Sequence, residues 1–204
     1  MPLRLLADDL VVLAHEPTTG RPLQSQSRLS CAVAGSVLAE LLLPGRIALD
    51  GHTVRPTGTG STGEPELDAL AEIVATSAKM RRAAAWVRTL RPNKHAGRLV
   101  TRAVRLGLVQ HEEHRTLLLF TRHHYVPTHP GEREVLVRTL HDVLVRSRTG
   151  DARTMALLRL VTAMGLDRPL FPDLPRRDRR ELVRELLDGD EIGQAVRRVI
   201  QEIE

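Results

Sequence analysis

The chain of 204 residues is 42% hydrophobic and only 2% aromatic, so it can bury one full core built from aliphatic side chains. This composition favours packed helices over a β-sandwich rich in aromatic strands. A single cysteine, Cys31, excludes an intramolecular disulfide and a cysteine-rich zinc site, and together with the absence of a signal-peptide pattern it predicts a cytoplasmic protein. Charge is unevenly distributed, because residues 1–76 hold 5 basic and 9 acidic side chains whereas residues 77–204 hold 25 and 16.

Two helices are predicted in the first part of the chain. Leucines at positions 3, 6, 10 and 13 recur at helical spacing, which predicts a first helix that turns Asp8 and Asp9 toward solvent. Residues 29–47 carry apolar or small side chains on every helical face, so we expect a buried central helix against which the other helices pack. Ser27 is predicted to be its N-cap, and Glu40 inside it is expected to pair with a nearby arginine.

The middle of the chain mixes short strands and helices. Residues 47–49 alternate like a strand, and the glycine-rich residues 51–65 are predicted to form an exposed loop. Further helices are predicted from Pro65, over residues 83–90 with Trp86 in the core, and over residues 95–106. A β-hairpin over residues 108–120 follows, with the second strand at 116–120.

The last third is predicted to be helical over residues 132–146, 152–164, 176–187 and 190–203. The run from Arg176 to Arg180 opens one of these helices. Because Asp178, Glu181 and Glu185 offset its charge, we interpret the run as a solvated helix face. The predicted fold is therefore mainly α, a central buried helix in a helical bundle surrounded by amphipathic helices, with one or two small β-hairpins.

One stretch of the chain is strongly basic. Between Glu72 and Glu112 there is no acidic residue, but nine lysines and arginines occur there. Lys94, Arg98, Arg102 and Arg105 are spaced to form one basic face of the helix over residues 95–106. Such a surface attracts anions, either a phospholipid headgroup, a lipid surface or a nucleic acid, although the arginine-rich composition could also serve solubility alone.

Common catalytic motifs are missing from the sequence. It contains no P-loop, no GxSxG and no HExxH, so we predict neither catalytic residues nor a cofactor, and the protein is not expected to be an enzyme. Five histidines lie in or near the predicted hairpin, namely His111, His114, His123, His124 and His129. We predict no metal site there, because His123 and His124 point to opposite faces of a strand and no cysteine joins them.

Several segments together resemble the Golgi phosphoprotein 3 family, peripheral membrane proteins that bind phosphatidylinositol 4-phosphate and have relatives in bacteria. In chain order these segments are LLADDLVVLAHEPTTGRPL, AGSVLAELLLPGRIALDG, STGEPELDALAEI, Trp86-Val87, GRLVTRAVRLGLV with LLLF, and ARTMALLRLVTAMGL. They cover nearly the whole chain. The resemblance implies a bacterial-type member with one domain over residues 1–204, a mostly helical fold and an anionic phospholipid as partner, with protein clients if it acts as an adaptor.

The resemblance also indicates where a headgroup would bind. In animal members a tryptophan before the central helix and an arginine early in it line the pocket, and Ser25 and Ala34 occupy those places here. Two further pocket arginines correspond to Asn93 and Ala96. Because none of these four residues can replace its counterpart, we predict that neighbouring cations form the headgroup site, namely Arg28, Arg91, Lys94, Arg98 and Arg102.

The predicted function is peripheral binding of anionic phospholipid on the cytoplasmic face of a membrane, with a headgroup like that of phosphatidylinositol 4-phosphate. A winged-helix DNA-binding protein is the alternative. In that case Arg98, Arg102 and Arg105 of helix 95–106 would face DNA and Arg115 of the hairpin would lie on the wing.

Overall fold

A computed structural model describes residues 3–58, 60–116, 120–147 and 150–204. Within these residues helices dominate, which confirms the prediction of a mainly α fold. The helices are α1 (Leu6–Leu13), α2 (Gln26–Leu42), α3 (Pro65–Ala75), α4 (Ala83–Leu90), α5 (Lys94–Arg105), α6 (Pro130–Asp142), α7 (Ala152–Ala163), α8 (Asp167–Leu170), α9 (Arg176–Leu187) and α10 (Glu191–Ile203). A π-helical turn, Val143–Ser147, continues α6. The strands are β1 (Ile47–Asp50), β2 (Thr53–Pro56), β3 (Arg81–Arg82), β4 (Val109–Thr116) and β5 (Phe120–Pro127).

The central helix α2 organises the bundle as predicted. It packs against α1, α4, α5, α7 and α10, and Cys31 and Ala34 on it are fully buried. Gly35 permits the closest approach, because a Cβ at this position would lie 2.3 Å from the Val196 Cγ2 of α10. The predicted N-cap was wrong by two residues. Ser25 caps α2, because its side chain accepts a hydrogen bond of 3.3 Å from the Arg28 amide.

A small antiparallel sheet has the strand order β1-β2-β3. Strand β2 lies inside residues 51–65, so the prediction of a continuous loop there was wrong. Val54 explains the difference. It pairs with Leu49 of β1, and its side chain is buried in the core, although the residues around it are glycine-rich and typical of a loop.

A two-stranded hairpin, β4 with β5, confirms the predicted hairpin after α5. The predicted second strand over residues 116–120 falls mostly on residues 117–119, which lie outside the described residues. Strand β5 begins at Phe120 and therefore includes His123 and His124, whereas His111 lies in β4. The Tyr125 amide donates a 2.9 Å hydrogen bond to the Gly20 carbonyl, which attaches β5 to the segment after α1.

The two aspartates of α1 are buried, so the prediction that Asp8 and Asp9 face solvent was wrong. Asp9 accepts a 2.6 Å hydrogen bond from Arg4, and Asp8 forms an ion pair with Arg102. Buried carboxylates with such partners escape the full desolvation penalty. Burial nevertheless raises the pKa of Asp9 above its ordinary value, although Arg4 opposes the shift.

Two predictions about single core residues are confirmed. Glu40 pairs with Arg153, with 2.9 Å between Oε1 and Nη1, and also accepts a hydrogen bond of 2.6 Å from the Leu6 amide. Trp86 is buried in the core. In the described part of the chain, no helix combines the length and the apolar composition needed to cross a membrane.

Candidate functional site

Arg102 does not belong to a solvent-facing basic surface. Its side chain is 4% exposed, and its nitrogens donate to Asp8, to Glu64 at 2.7 Å and to the carbonyl of Leu3. Burial lowers the pKa of Arg102, but the hydrogen bonds with Asp8 and Glu64 outweigh it and raise the pKa above its ordinary value. The predicted role of Arg102 in headgroup binding is therefore corrected: every nitrogen of its guanidinium already has an acceptor in the protein.

The other predicted cations of this region differ in their exposure to solvent. Lys94 and Arg98 are exposed on α5, and Arg98 has a long contact of 3.4 Å with Glu66. Arg91 follows α4 and is half-buried, and its Nε is buried with no acceptor among the described residues. Burial raises the pKa of Cys31, while Arg91 lowers it and Glu204 raises it.

Arg28 lines a concave basic surface. Two neighbouring cavities, of about 550 and 630 Å³, share Arg28 and open between the first turn of α2, the end of α7, α8, α9 and α10. Arginines from all these helices except α7 line them. We call this surface the arginine cleft and define it by Arg28, Arg168, Arg176, Arg179, Arg180, Arg184 and Arg197.

The arginines of α9 were not predicted to be part of a site. Arg176, Arg180 and Arg184 are spaced four residues apart, so they form one exposed stripe that borders the cleft. The interpretation of the run 176–180 as a solvated face agrees with the exposure of Arg176, Arg177 and Arg180, but Arg176 and Arg180 also border a cavity whereas Arg177 does not. The four-residue spacing was visible in the sequence, but nothing in it indicated that the stripe faces Arg28.

Two carboxylates partly neutralise the cleft. Glu204 accepts hydrogen bonds of 2.5 and 2.6 Å from Nε and Nη2 of Arg28, which raises the pKa of Arg28 and lowers that of Glu204. Asp167 lies 3.4 Å from Arg179, but burial raises the pKa of Asp167 nonetheless. Seven guanidinium groups thus face two acidic side chains among the residues that line the cleft.

The backbone around Arg28 is shaped to hold its side chain. Gly165, after α7, has a φ of 80°, and a Cβ there would lie 2.7 Å from Nη1 of Arg28. The same nitrogen donates a 3.3 Å hydrogen bond to the Met164 carbonyl. The left-handed backbone favours glycine at position 165, and the Arg28 guanidinium packs closely against it.

This arrangement suits an anion that carries phosphate. Arginine presents paired N–H donors that match two oxygens of a phosphate or carboxylate, and Glu204 already occupies Arg28 in this bidentate manner. Donors of this kind do not bind a metal ion. The cleft therefore offers donors of the kind that phosphate oxygens accept.

The residues that the resemblance places in the headgroup pocket are separated in the structure. Ser25 lines the arginine cleft beside Arg28. Ala34 and Ala96 are buried in the core, and Asn93 caps α5, where its side chain accepts a 2.9 Å hydrogen bond from the His95 amide. Of these four positions, Ser25 alone is a lining residue of the cleft.

Comparison with known proteins agrees with the fold. The family described as Golgi phosphoprotein 3 (GPP34) matches the chain over residues 6–203, nearly its full length. No curated protein matches the chain closely enough to be counted as a relative. The family is a lipid-binding and adaptor family, not an enzymatic one, and its eukaryotic members generally bind phosphoinositides. The chain belongs to the Golgi phosphoprotein 3 family.

Proposed function

We propose that this protein binds anionic phospholipid headgroups at a membrane surface through the arginine cleft, with a preference for a phosphomonoester headgroup such as that of phosphatidylinositol 4-phosphate. The observation that carries the proposal is the convergence of seven arginines from four helices on one concave surface. Family membership supports a lipid as the source of the phosphate. Cytoplasmic localisation and a single domain over the whole chain are part of the same proposal.

The cleft supplies binding free energy that the exposed cations alone do not provide. A basic side chain near an anionic membrane contributes about 1 kcal/mol, so Lys94 and Arg98 together give about 2 kcal/mol. Stable attachment needs more than this, since even a single myristoyl chain gives only marginal binding. Bidentate hydrogen bonds between cleft arginines and phosphate oxygens provide the additional, headgroup-specific contribution.

Arg28 and Glu204 determine how the headgroup enters. The Glu204 side chain is 46% exposed, so its carboxylate can move into water and leave the paired donors of Arg28 to a phosphate. A phosphomonoester carries a charge of about −1.5 to −2 near neutral pH and competes well with one carboxylate. In this proposal Arg91, Lys94 and Arg98 provide long-range attraction to the membrane, whereas Arg102 stabilises the fold.

An adaptor role follows the family and also remains a proposal. The protein would hold client proteins at the membrane that the cleft recognises. The winged-helix alternative retains Lys94, Arg98 and Arg105 as exposed cations on α5, but the opposite side of that helix packs against α1, α2 and α3. Duplex DNA is therefore included as a competitor in the test below.

Co-sedimentation with vesicles tests the proposal. Native protein is compared with the triple variant Arg176→Gln, Arg180→Gln and Arg184→Gln, on vesicles of neutral lipid, of neutral lipid with phosphatidylserine, and of neutral lipid with phosphatidylinositol 4-phosphate. A matched control removes the same charge at exposed arginines outside the cleft, Arg21→Gln, Arg138→Gln and Arg177→Gln.

We expect native protein and the matched control to sediment with phosphoinositide vesicles, and the cleft variant to remain in the supernatant. An equal loss of binding in both triple variants would show that binding depends only on net charge. It would refute the proposal that the cleft binds the headgroup. Duplex DNA that displaces the protein from vesicles as effectively as soluble headgroup would favour the nucleic-acid alternative.

A further inference from the structure

Three side chains with metal-binding atoms meet on one face of the β4–β5 hairpin. His111, Glu113 and His123 each offer one ligand atom, and these atoms all lie within 4.8 Å of one another. The His111 Nε2 and the His123 Nδ1 are 2.9 Å apart, and the Glu113 Oε1 lies 4.0 Å from the same Nδ1. All three residues are exposed.

Strand register explains why these three residues meet and why their neighbours do not. His111 and Glu113 are two positions apart on β4, so they share a face, and Glu113 is directly opposite His123 on β5. His124 points to the other face, where its Nδ1 lies 3.0 Å from the Thr19 carbonyl. The sequence argument against a metal site therefore applies to His124. It does not exclude a site formed by His111, Glu113 and His123 on the opposite face of the hairpin.

The cluster has support from the body of the protein. His111 stacks on Tyr125 with 4.9 Å between ring centroids, and Tyr125 in turn contacts the buried His15 at 5.0 Å. The His111 ring is thus backed by aromatic neighbours that continue into the core. Oriented ligand rings of this kind lower the entropic penalty of metal binding.

The distances suit a transition metal. Two imidazole nitrogens 2.9 Å apart share one proton between them, and a cation can take its place. Bonds of about 2.0 to 2.1 Å to Zn²⁺ put tetrahedral ligands about 3.4 Å from one another, between the two distances observed here. The Glu113 side chain is 53% exposed, so rotation about its side-chain bonds can bring its carboxylate closer to the two nitrogens.

We infer that His111, Glu113 and His123 form a binding site for a divalent transition metal of the zinc, nickel or copper class. The two imidazoles are borderline donors, which such metals prefer, whereas Mg²⁺ and Ca²⁺ favour sites built from oxygen ligands alone. Because the ligands come from both strands, the bound ion joins β4 to β5. The remaining coordination positions are open to water or to a ligand from outside the chain.

Titration calorimetry of untagged, metal-free full-length protein with Zn²⁺ tests the site, with Mg²⁺ as the hard-cation comparison. The single variants His111→Gln, Glu113→Gln and His123→Gln are compared with His124→Gln, which changes the adjacent residue on the opposite face. We expect one Zn²⁺ per chain, affinity at least about tenfold weaker in each of the three variants, and little change in His124→Gln.

A second readout needs no substitution and is independent of variant folding. In NMR spectra of the native protein, the ring signals of His111 and His123 should shift together with added Zn²⁺, whereas those of His129 should not. Absence of stoichiometric Zn²⁺ binding to native protein would overturn the site. So would an equal loss of affinity in His124→Gln, or metal-dependent shifts confined to other histidines.

Discussion

A substitution at Arg102 distinguishes a structural role from a lipid-binding role. The sequence predicts that Arg102 binds a lipid headgroup, whereas the structure shows it in a buried ion pair with Asp8. Replacement by methionine keeps the aliphatic stem and removes the guanidinium. The side chain of Asp8, which is 0% exposed, then loses its charged partner, and Glu64 loses a 2.7 Å hydrogen bond. Removing one member of a buried ion pair typically destabilises a protein by about 3 to 5 kcal/mol.

Urea denaturation at neutral pH measures this change. We expect Arg102→Met to lower the free energy of unfolding by about 3 to 5 kcal/mol, a large fraction of the roughly 5 to 15 kcal/mol typical of a domain. Adding Asp8→Asn removes the uncompensated charge, so the double variant should be more stable than the sum of the two single changes predicts.

Vesicle binding of the same variant, at a temperature where it is folded, provides the functional comparison. The structure predicts binding close to that of native protein, since the Arg102 side chain is 4% exposed and each of its three nitrogens already donates to an acceptor in the protein. The reasoning would be refuted if Arg102→Met lost less than about 1 kcal/mol of stability and also lost vesicle binding.

Three further predictions concern the cleft, the core and pH. Glu204→Gln frees Arg28 from a charged competitor and should strengthen binding of phosphoinositide vesicles in co-sedimentation. Gly35→Ala forces a Cβ against Val196 and should reduce stability to urea by about 1 to 3 kcal/mol. Burial lowers the pKa of His15 below its ordinary 6.5, so the neutral form stabilises the fold, and the urea midpoint should fall as pH is lowered from about 7.5 to about 5.5.

Each of these three has a matched control. Glu202→Gln frees the exposed Arg88 outside the cleft, and it should leave vesicle binding unchanged. Gly97→Ala lies on the exposed side of α5 with open space around it, so it should not destabilise the protein. A His15→Gln variant should show a smaller fall of the urea midpoint between these pH values, and an unchanged fall would show that other groups cause it.

The sequence was sufficient where apolar periodicity decides the structure. The order of the helices, the buried α2 and the pairing of Glu40 with an arginine followed from local pattern and from the rule that buried charge needs a partner. The burial of Asp8 could not be predicted in this way, because its partner Arg102 is 94 positions away. Periodicity identifies a helix face but not the helix that packs on it.

The same reason limited prediction of the candidate site. Arg28 was identified from its place near the central helix, whereas Arg176 and Arg180 were interpreted as part of a solvated face and Arg184 was not predicted to belong to a site. Only the packing of α9 and α10 beside the start of α2 brings these residues into one cleft. For the metal-ligand cluster, strand alternation correctly separated His123 from His124, because alternation is a local property of the strand. What the sequence did not give was the register of β4 against β5, which places Glu113 opposite His123.

Direct titration with a soluble headgroup tests the central claim, that the arginine cleft recognises a phosphomonoester lipid, without a membrane surface. Glycerophosphoinositol 4-phosphate is added to native protein, to the Arg176, Arg180 and Arg184 triple variant, and to the control triple variant at Arg21, Arg138 and Arg177, and heat is measured. We predict saturable one-to-one binding to native protein and to the control, and none to the cleft variant. Equal binding by all three proteins, or by none, would contradict the assignment of headgroup recognition to the cleft.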